Sequence, residues 1–293
     1  MIIDYNDFKQ YLNSKIFEDT YKDLLEKLAK YPERYIGLFR PTKPKTKLIQ
    51  NITQSNEIKF GDALEFIFEK YFERIGFLIL PKTYYLDGKT LKIDQLIQKS
   101  NTIYLIEQKI RDDHDSTKKV GQFDNFENKY HAVKTQHETL TVIPIMWFID
   151  DGLNKNQNYY KQRMEDMRID FECNPYLYYG DEIFCNLDDL INNNIWKEIT
   201  DHLRQWKIEL PDMPEVNFES DCDAIFEEIK DIPITNYRKL FSNKEIIEEI
   251  FPIIFPTGTM LNNLRDYFLC KNLPIYTNIS NKITEILNTQ YNR

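Results

Sequence analysis

Residues 92–119 read KIDQLIQKSNTIYLIEQKIRDDHDSTKK, and the fold turns on how this stretch is taken. Two apolar runs, LKIDQLIQ and TIYLIEQKI, flank Lys99-Ser100-Asn101, and both carry the patterning of strands. With Ser100-Asn101 as a two-residue hairpin loop, Lys99 pairs with Thr102, and the register carries Asp94 to a position opposite Glu107. Residues directly opposed in an antiparallel pair share a face, about 4.5–5.5 Å apart. Lys109, two residues beyond Glu107, shares that face because side chains alternate. An ion held in a half-buried strand is costly unless it is paired or binds a metal. Asp94, Glu107 and Lys109 are therefore the first candidates for function.

Upstream, residues 58–75 space Leu64, Ile67, Phe68, Tyr71 and Ile75 on one helical face, with Glu65 near its edge and Gly76 ending it. Residues 77–99 then read as short strands with a turn at Asp87-Gly88. Downstream, the stretch from Ser116 reads as a helix with Val120, Phe123, Phe126 and Tyr130 inward, and 139–149 as a buried strand. Helical patterns at 154–168 and 187–206 flank a short extended run at 175–180. This alternation predicts an α/β (α+β mixed) fold, with a central mixed sheet flanked by helices. At the N-terminus, 4–31 reads as one or two amphipathic helices, and prolines at 32, 41 and 44 predict an extended or looped 32–57. Past Trp206, 207–217 reads as a linker, followed by helical patterns at 218–230, 244–251, 258–271 and 278–289. The expected organisation is one domain over 1–206 that holds these candidate residues, with 1–57 its helical and looped N-terminal part, and a helical C-terminal subdomain over 207–293.

The chain has 293 residues, 42% hydrophobic and 14% aromatic, enough to bury a core. Its four cysteines, Cys173, Cys185, Cys222 and Cys270, show no CxxC and no zinc-ligand spacing, which points to free thiols. No run of about 18 apolar residues and no signal peptide is visible, so a cytoplasmic protein with no membrane partner is expected. The net charge of -9 is unevenly placed: nine acids against Lys230 between Glu209 and Asp231 give a local -8 and leave -1 for the remainder. Arg40, Lys43, Lys45 and Lys47 have no acid among them, and Arg111, Lys118 and Lys119 follow the central strand. Such patches can neutralise phosphates despite the acidic total. His114 beside them reads either as a phosphate contact or as a loop histidine. No nucleophile elbow, GxGxxG or GxxxxGK[ST] is present, so acyl transfer and nucleotide hydrolysis lack support.

Two acids and a lysine on one face suit metal-dependent hydrolysis: carboxylate oxygens are ligands for Mg²⁺, and an ammonium nearby can position water. Glu-x-Lys alone occurs four times in the chain, at 57, 107, 127 and 228. Only Glu107-Gln108-Lys109 lies on an apolar strand preceded by an acid-bearing strand. The pattern Ile93-Asp94, twelve intervening residues, then Glu107-Gln108-Lys109, behind a helix bearing Gly61-Asp62-Ala63-Leu64-Glu65, resembles the PD-(D/E)XK nucleases, and among them the type II restriction endonucleases. The match covers about 61–149. Ile93 stands where the family often has proline.

The resemblance implies a restriction-endonuclease-like core and a Mg²⁺-dependent, sequence-specific endonuclease of double-stranded DNA that leaves 5′-phosphate ends. It makes Asp94 and Glu107 metal ligands, with the Gln108 carbonyl as a further ligand. Lys109 would orient the attacking water, and Glu65 would support the metal shell. Gln122, in the following helix, resembles a polar residue that some members carry beside the catalytic face. A homodimer and a cognate DNA methyltransferase that protects the host are the implied partners. Two other readings stay open: a repair or junction-resolving nuclease of the same core that reads DNA structure, and a non-catalytic DNA-binding protein whose 94/107/109 trio is an ion-pair network.

Overall fold

Ser100 takes a left-handed φ of 52°, and the strands beside it pair antiparallel from Lys99↔Thr102 to Gln95↔Ile106, which is the expected register. The computed structural model describes residues 1–110, 116–187 and 194–291. In chain order the elements are α1 (Tyr5–Ile16), α2 (Thr20–Lys30), α3 (Pro44–Arg74), β1 (Leu78–Ile79), β2 (Thr83–Leu86), β3 (Lys89–Lys92), β4 (Gln95–Lys99) and β5 (Thr102–Lys109). There follow α4 (Ser116–Gln136), β6 (Thr141–Phe148), α5 (Gln157–Asp170), β7 (Tyr176–Tyr179), α6 (Glu182–Asn186) and α7 (Asn194–Ile208). The remainder is helical: α8 (Cys222–Ile229), α9 (Ile234–Ser242), α10 (Phe251–Ile254), α11 (Thr259–Cys270) and α12 (Pro274–Ile286). Among the described residues no helix is long and apolar enough to cross a membrane.

The main sheet has the order β1-β4-β5-β6-β7: β1, β4 and β5 run antiparallel, while β5, β6 and β7 are parallel. The β5-α4-β6 crossover supplies the helix that a parallel connection needs. β2 and β3 form a separate ribbon, turned by Asp87 and Gly88 at φ 48° and 75°. Side chains of β5 alternate between two helical layers. Ile103 and Leu105 enter the core formed with Phe123 and Phe126 of α4 and Tyr160 and Met164 of α5. On the other face Trp147 of β6 packs edge-on against Phe68 of α3 at 4.6 Å and reaches Phe184 of α6 and Trp196 of α7. The mixed α/β class expected from the sequence is the observed one.

The chain forms two compact units, one of residues 1–12 and 61–209, the other of 13–60 and 210–293. The first holds the sheet. The second is helical, with Leu24, Leu25 and Leu28 of α2 and Leu48 and Ile52 of α3 sharing a core with Tyr237, Phe251, Leu264 and Ile283. The expected boundary at 206/207 placed 13–60 with the sheet; in the structure that stretch packs with the C-terminal helices.

Three local expectations are corrected. Residues 44–57 are not looped but helical, because Pro44 sits at the helix start, where its missing N–H is harmless, and no glycine or proline follows before Gly61. The run LKIDQLIQ is not one strand: it breaks at Ile93-Asp94 into β3 and β4, which belong to different sheets. The helix α9 was not foreseen. It follows Pro233, and its buried Tyr237, Leu240 and Phe241 lie at helical spacing within nine residues.

Candidate active site

The break at Ile93-Asp94 builds the site. The Ile93 N–H donates to the Lys82 carbonyl at 2.9 Å, so this backbone serves the β2–β3 ribbon rather than the main sheet. The Gln108 N–H, near the end of β5, is met instead by the side chain of Asp94, whose Oδ2 accepts it at 2.8 Å. A side-chain oxygen thus stands in for a strand carbonyl and holds Asp94 beside the last residues of β5.

Glu107 projects from β5 between the sheet and α4, and only 4% of its surface is exposed. Its Oε1 accepts from Lys109 Nζ at 2.6 Å and its Oε2 from Lys129 Nζ at 2.5 Å. The same Lys129 ammonium stands 3.6 Å from Asp94 Oδ1. Asp94, Glu107, Lys109 and Lys129 are therefore one contiguous ion cluster. The two acids share a lysine, so Asp94 and Glu107 lie on the same side of the sheet.

Glu65, half-buried on α3, completes the electrostatics. Burial, reinforced by the nearby Asp94 carboxylate, pushes its carboxyl up to about 7. Burial likewise pushes Asp94 up to about 6, with Glu107 adding to the rise and Lys129 and Lys109 opposing it. At Glu107 burial also raises the pKa, but the two lysines in contact outweigh it and hold this carboxyl below its ordinary range. Lys109 is disfavoured as a cation by burial, yet Glu107 and Asp94 more than compensate and raise it. The site thus sets one carboxyl lowered by its lysine partners beside two raised by burial.

Two buried glutamines fix the geometry from the other face. Gln95 Nε2 donates to Gln108 Oε1 at 2.9 Å and to the Glu65 main-chain carbonyl, tying β4 and β5 to α3. The Gln108 side chain lies on that face, which leaves only its main-chain carbonyl for any role near Asp94 and Glu107.

Lys129 escaped the sequence reading. It belongs to another Glu-x-Lys triplet, Glu127-Asn128-Lys129, set aside because that triplet is helical. The signal was present nonetheless: Lys129 falls on the stripe of Phe126, Tyr130 and Val133, and a lysine on a buried stripe demands an anion.

The expected phosphate contacts divide differently. Lys43 and Lys45 are exposed at the start of α3, Lys47 bonds Gln50, and Arg40 donates to the Glu33 carbonyl. All four belong to the unit of 13–60 and 210–293. Lys118 is exposed on α4. Lys119 reaches Asn156 at 3.3 Å and lies over the Tyr159 ring, while Gln122 accepts from the Tyr160 hydroxyl at 3.5 Å. Arg111 and His114 lie outside the described residues.

A buried and a half-buried carboxylate aimed at a single cation form a donor set that fits a hard divalent ion, since Mg²⁺ takes one or two carboxylates and keeps several waters. Among the described residues no group of three or more His, Cys, Asp or Glu side chains is arranged to hold a metal, so the fit rests on these two acids.

Residues 85–207 match the family model described as HinfI, type II restriction endonuclease. The resemblance to the type II restriction endonucleases is borne out. The matched segment contains Asp94, Glu107, Lys109 and Lys129, and it begins after Glu65 and the 40–47 basic stretch. It supports a DNA hydrolase of the restriction class, and enzymes of this class generally use a divalent metal. No curated protein and no solved structure matches the chain.

Proposed function

We propose that this protein is a Mg²⁺-dependent restriction endonuclease of the PD-(D/E)XK type that cuts double-stranded DNA at a specific sequence and leaves 5′-phosphate and 3′-hydroxyl ends. The observation that carries the reading is the meeting of Asp94, Glu107 and Lys109 at one end of β5, inside the segment that matches the family. Asp94 and Glu107 are the metal-holding acids, with the Gln108 carbonyl as a further ligand and Glu65 as support. Bound Mg²⁺ supplies Lewis acidity that favours ionisation of water and offsets charge on the phosphate. Lys109 donates to the attacking water and orients it in line with the scissile bond, an alignment favoured because its ammonium is already tethered to Glu107. The burial of the cluster excludes bulk water and strengthens each of these interactions.

Arg40, Lys43, Lys45, Lys47, Arg111, His114, Lys118, Lys119 and Gln122 are the proposed DNA contacts. A homodimer matches the two-fold symmetry of a palindromic site, and a cognate methyltransferase protects host DNA. The test is digestion of a fully sequenced phage DNA with Mg²⁺ and with chelator, followed by sequencing of the ends. Discrete Mg²⁺-dependent fragments with 5′-phosphates are expected, and Asp94→Ala should abolish them. Cleavage that survives in Asp94→Ala would remove the site assignment. Smearing or branch-selective cutting would favour a structure-reading nuclease, and binding without cutting would favour a non-catalytic protein.

A further inference from the structure

The least expected member of the cluster is Lys129. Its side chain is 4% exposed, it is carried by a helix rather than by the strand pair that supplies the acids, and its Nζ bridges Glu107 Oε2 at 2.5 Å and Asp94 Oδ1 at 3.6 Å. Glu107 already has a cation in Lys109 on its other oxygen, at 2.6 Å. Lys129 is therefore not needed to neutralise Glu107 alone. What it does that Lys109 does not is occupy the point shared by the two acids. That point is the one a divalent ion bound to both would fill, and an ammonium and a metal ion cannot share it.

We propose that Lys129 is a built-in counter-cation: it holds Asp94 and Glu107 together while the metal is absent, and it gives way when a divalent ion binds. This rests on the reading of Asp94 and Glu107 as metal ligands. It assigns Lys129 as a positioning residue whose ammonium competes with the ion. Without a cation between them, the two neighbouring carboxylates repel, and the metal-free protein is destabilised. With the lysine there, that repulsion is offset at a cost in metal affinity. Charge supports the exchange. Asp94 and Glu107 meet Lys109 and Lys129, so moving Lys129 away from the shared point leaves two carboxylates against one ammonium, a deficit of positive charge that a divalent ion makes good.

Calcium titration calorimetry on the whole protein tests the competition without relying on turnover. Lys129→Met removes the ammonium while keeping much of the side-chain volume. Its Ca²⁺ affinity is expected to rise by about tenfold or more over wild type, in line with the strength of close charge interactions at partly buried sites. Its melting temperature without metal should fall and should recover on adding Ca²⁺ by more than wild type gains. Lys129→Arg, which keeps the charge, should not bind Ca²⁺ more tightly than wild type. A Lys129→Met affinity equal to or weaker than wild type overturns the proposal.

A second measurement needs no variant. In wild type, acylation of lysines mapped by mass spectrometry should mark Lys129 several-fold more with Ca²⁺ than with chelator; unchanged labelling overturns the proposal as well. Failure of the underlying metal site has a different signature. If Asp94→Asn leaves wild-type Ca²⁺ affinity intact, or wild type binds no Ca²⁺ or Mg²⁺, the ligand assignment falls. If Asp94→Asn abolishes binding while Lys129→Met leaves it unchanged, only the role of Lys129 falls.

Discussion

Lys109 and Lys129 both touch Glu107, yet they should fail differently when replaced. Lys109 lies two residues along the strand from the acid it pairs with, its side chain is 14% exposed, and in the proposed reaction it contacts water. Lys109→Met should lower single-turnover cleavage by about 10²–10³-fold, the usual effect of removing one preorganised charge stabiliser, with cognate DNA affinity in Ca²⁺ largely kept. Parallel losses of binding and cutting would make Lys109 a structural residue instead. The sequence allowed this much at the residue scale because strand alternation and a two-residue turn fix which side chains meet. It did not reveal Lys129, because its partner lies across a helix–sheet contact 22 residues away, a distance that no local period encodes.

Among the elements, α7 illustrates how a single acid can anchor several. Glu198 accepts the Ile2 and Ile3 N–H groups at 2.9 Å and the Tyr71 hydroxyl of α3 at 3.1 Å. Burial alone would raise its carboxyl, but the Ile3 and Ile2 amides, with Tyr71, hold it below the ordinary value of 4.5. The native state therefore binds this proton less readily than the unfolded chain. The resulting stability is fully present above about 4.5 and is lost as pH falls through the lower native value. Glu198→Gln should cost about 1–2 kcal/mol at pH 7 by denaturant unfolding, and the gap from wild type should narrow below pH 4.5. A gap independent of pH would mean that the ionised form is not what matters.

At the start of α11, Gly258 has a φ of 76°, and a Cβ there would meet Leu287 Cδ2 at 3.0 Å and the Tyr291 ring at 3.1 Å. Gly258→Ala should destabilise by about 1–3 kcal/mol, from left-handed backbone and crowding together; a neutral effect would show that the helix start can shift. Elements of this kind were only partly legible. Proline at 32, 41 and 44 marks where structure is interrupted, but Pro44 opens a helix rather than preventing one, and the sequence cannot distinguish these roles without the partner surface. The acid-bearing break before β4 was hidden for the same reason: Ile93 and Asp94 carry strand-like patterning, and only pairing with two different sheets separates them.

For the whole molecule, the basic stretch of 40–47 offers the clearest test of how DNA is gripped. If Lys43, Lys45 and Lys47 each meet a phosphate, replacing all three with Gln should reduce the slope of log affinity against log salt by about 2–3, since each neutralised phosphate contributes roughly 0.9. An unchanged slope would remove this stretch from the interface and leave Lys118, Lys119 and Gln122 as the described candidates.

The two units are woven from alternating pieces of chain, with boundaries falling inside α1 and α3. A polypeptide ending at residue 209 would keep the sheet but strand Leu24, Leu25, Leu28, Leu48 and Ile52 without the 216–287 residues that cover them. It should aggregate where the intact chain does not. For anyone grafting one enzyme's target preference onto another, and for recombination in nature, this means that a single crossover cannot transplant either unit. Three junctions, near 12, 60 and 209, would have to change together, so the unit made of 13–60 and 210–293 is expected to have diverged by point substitution rather than by exchange.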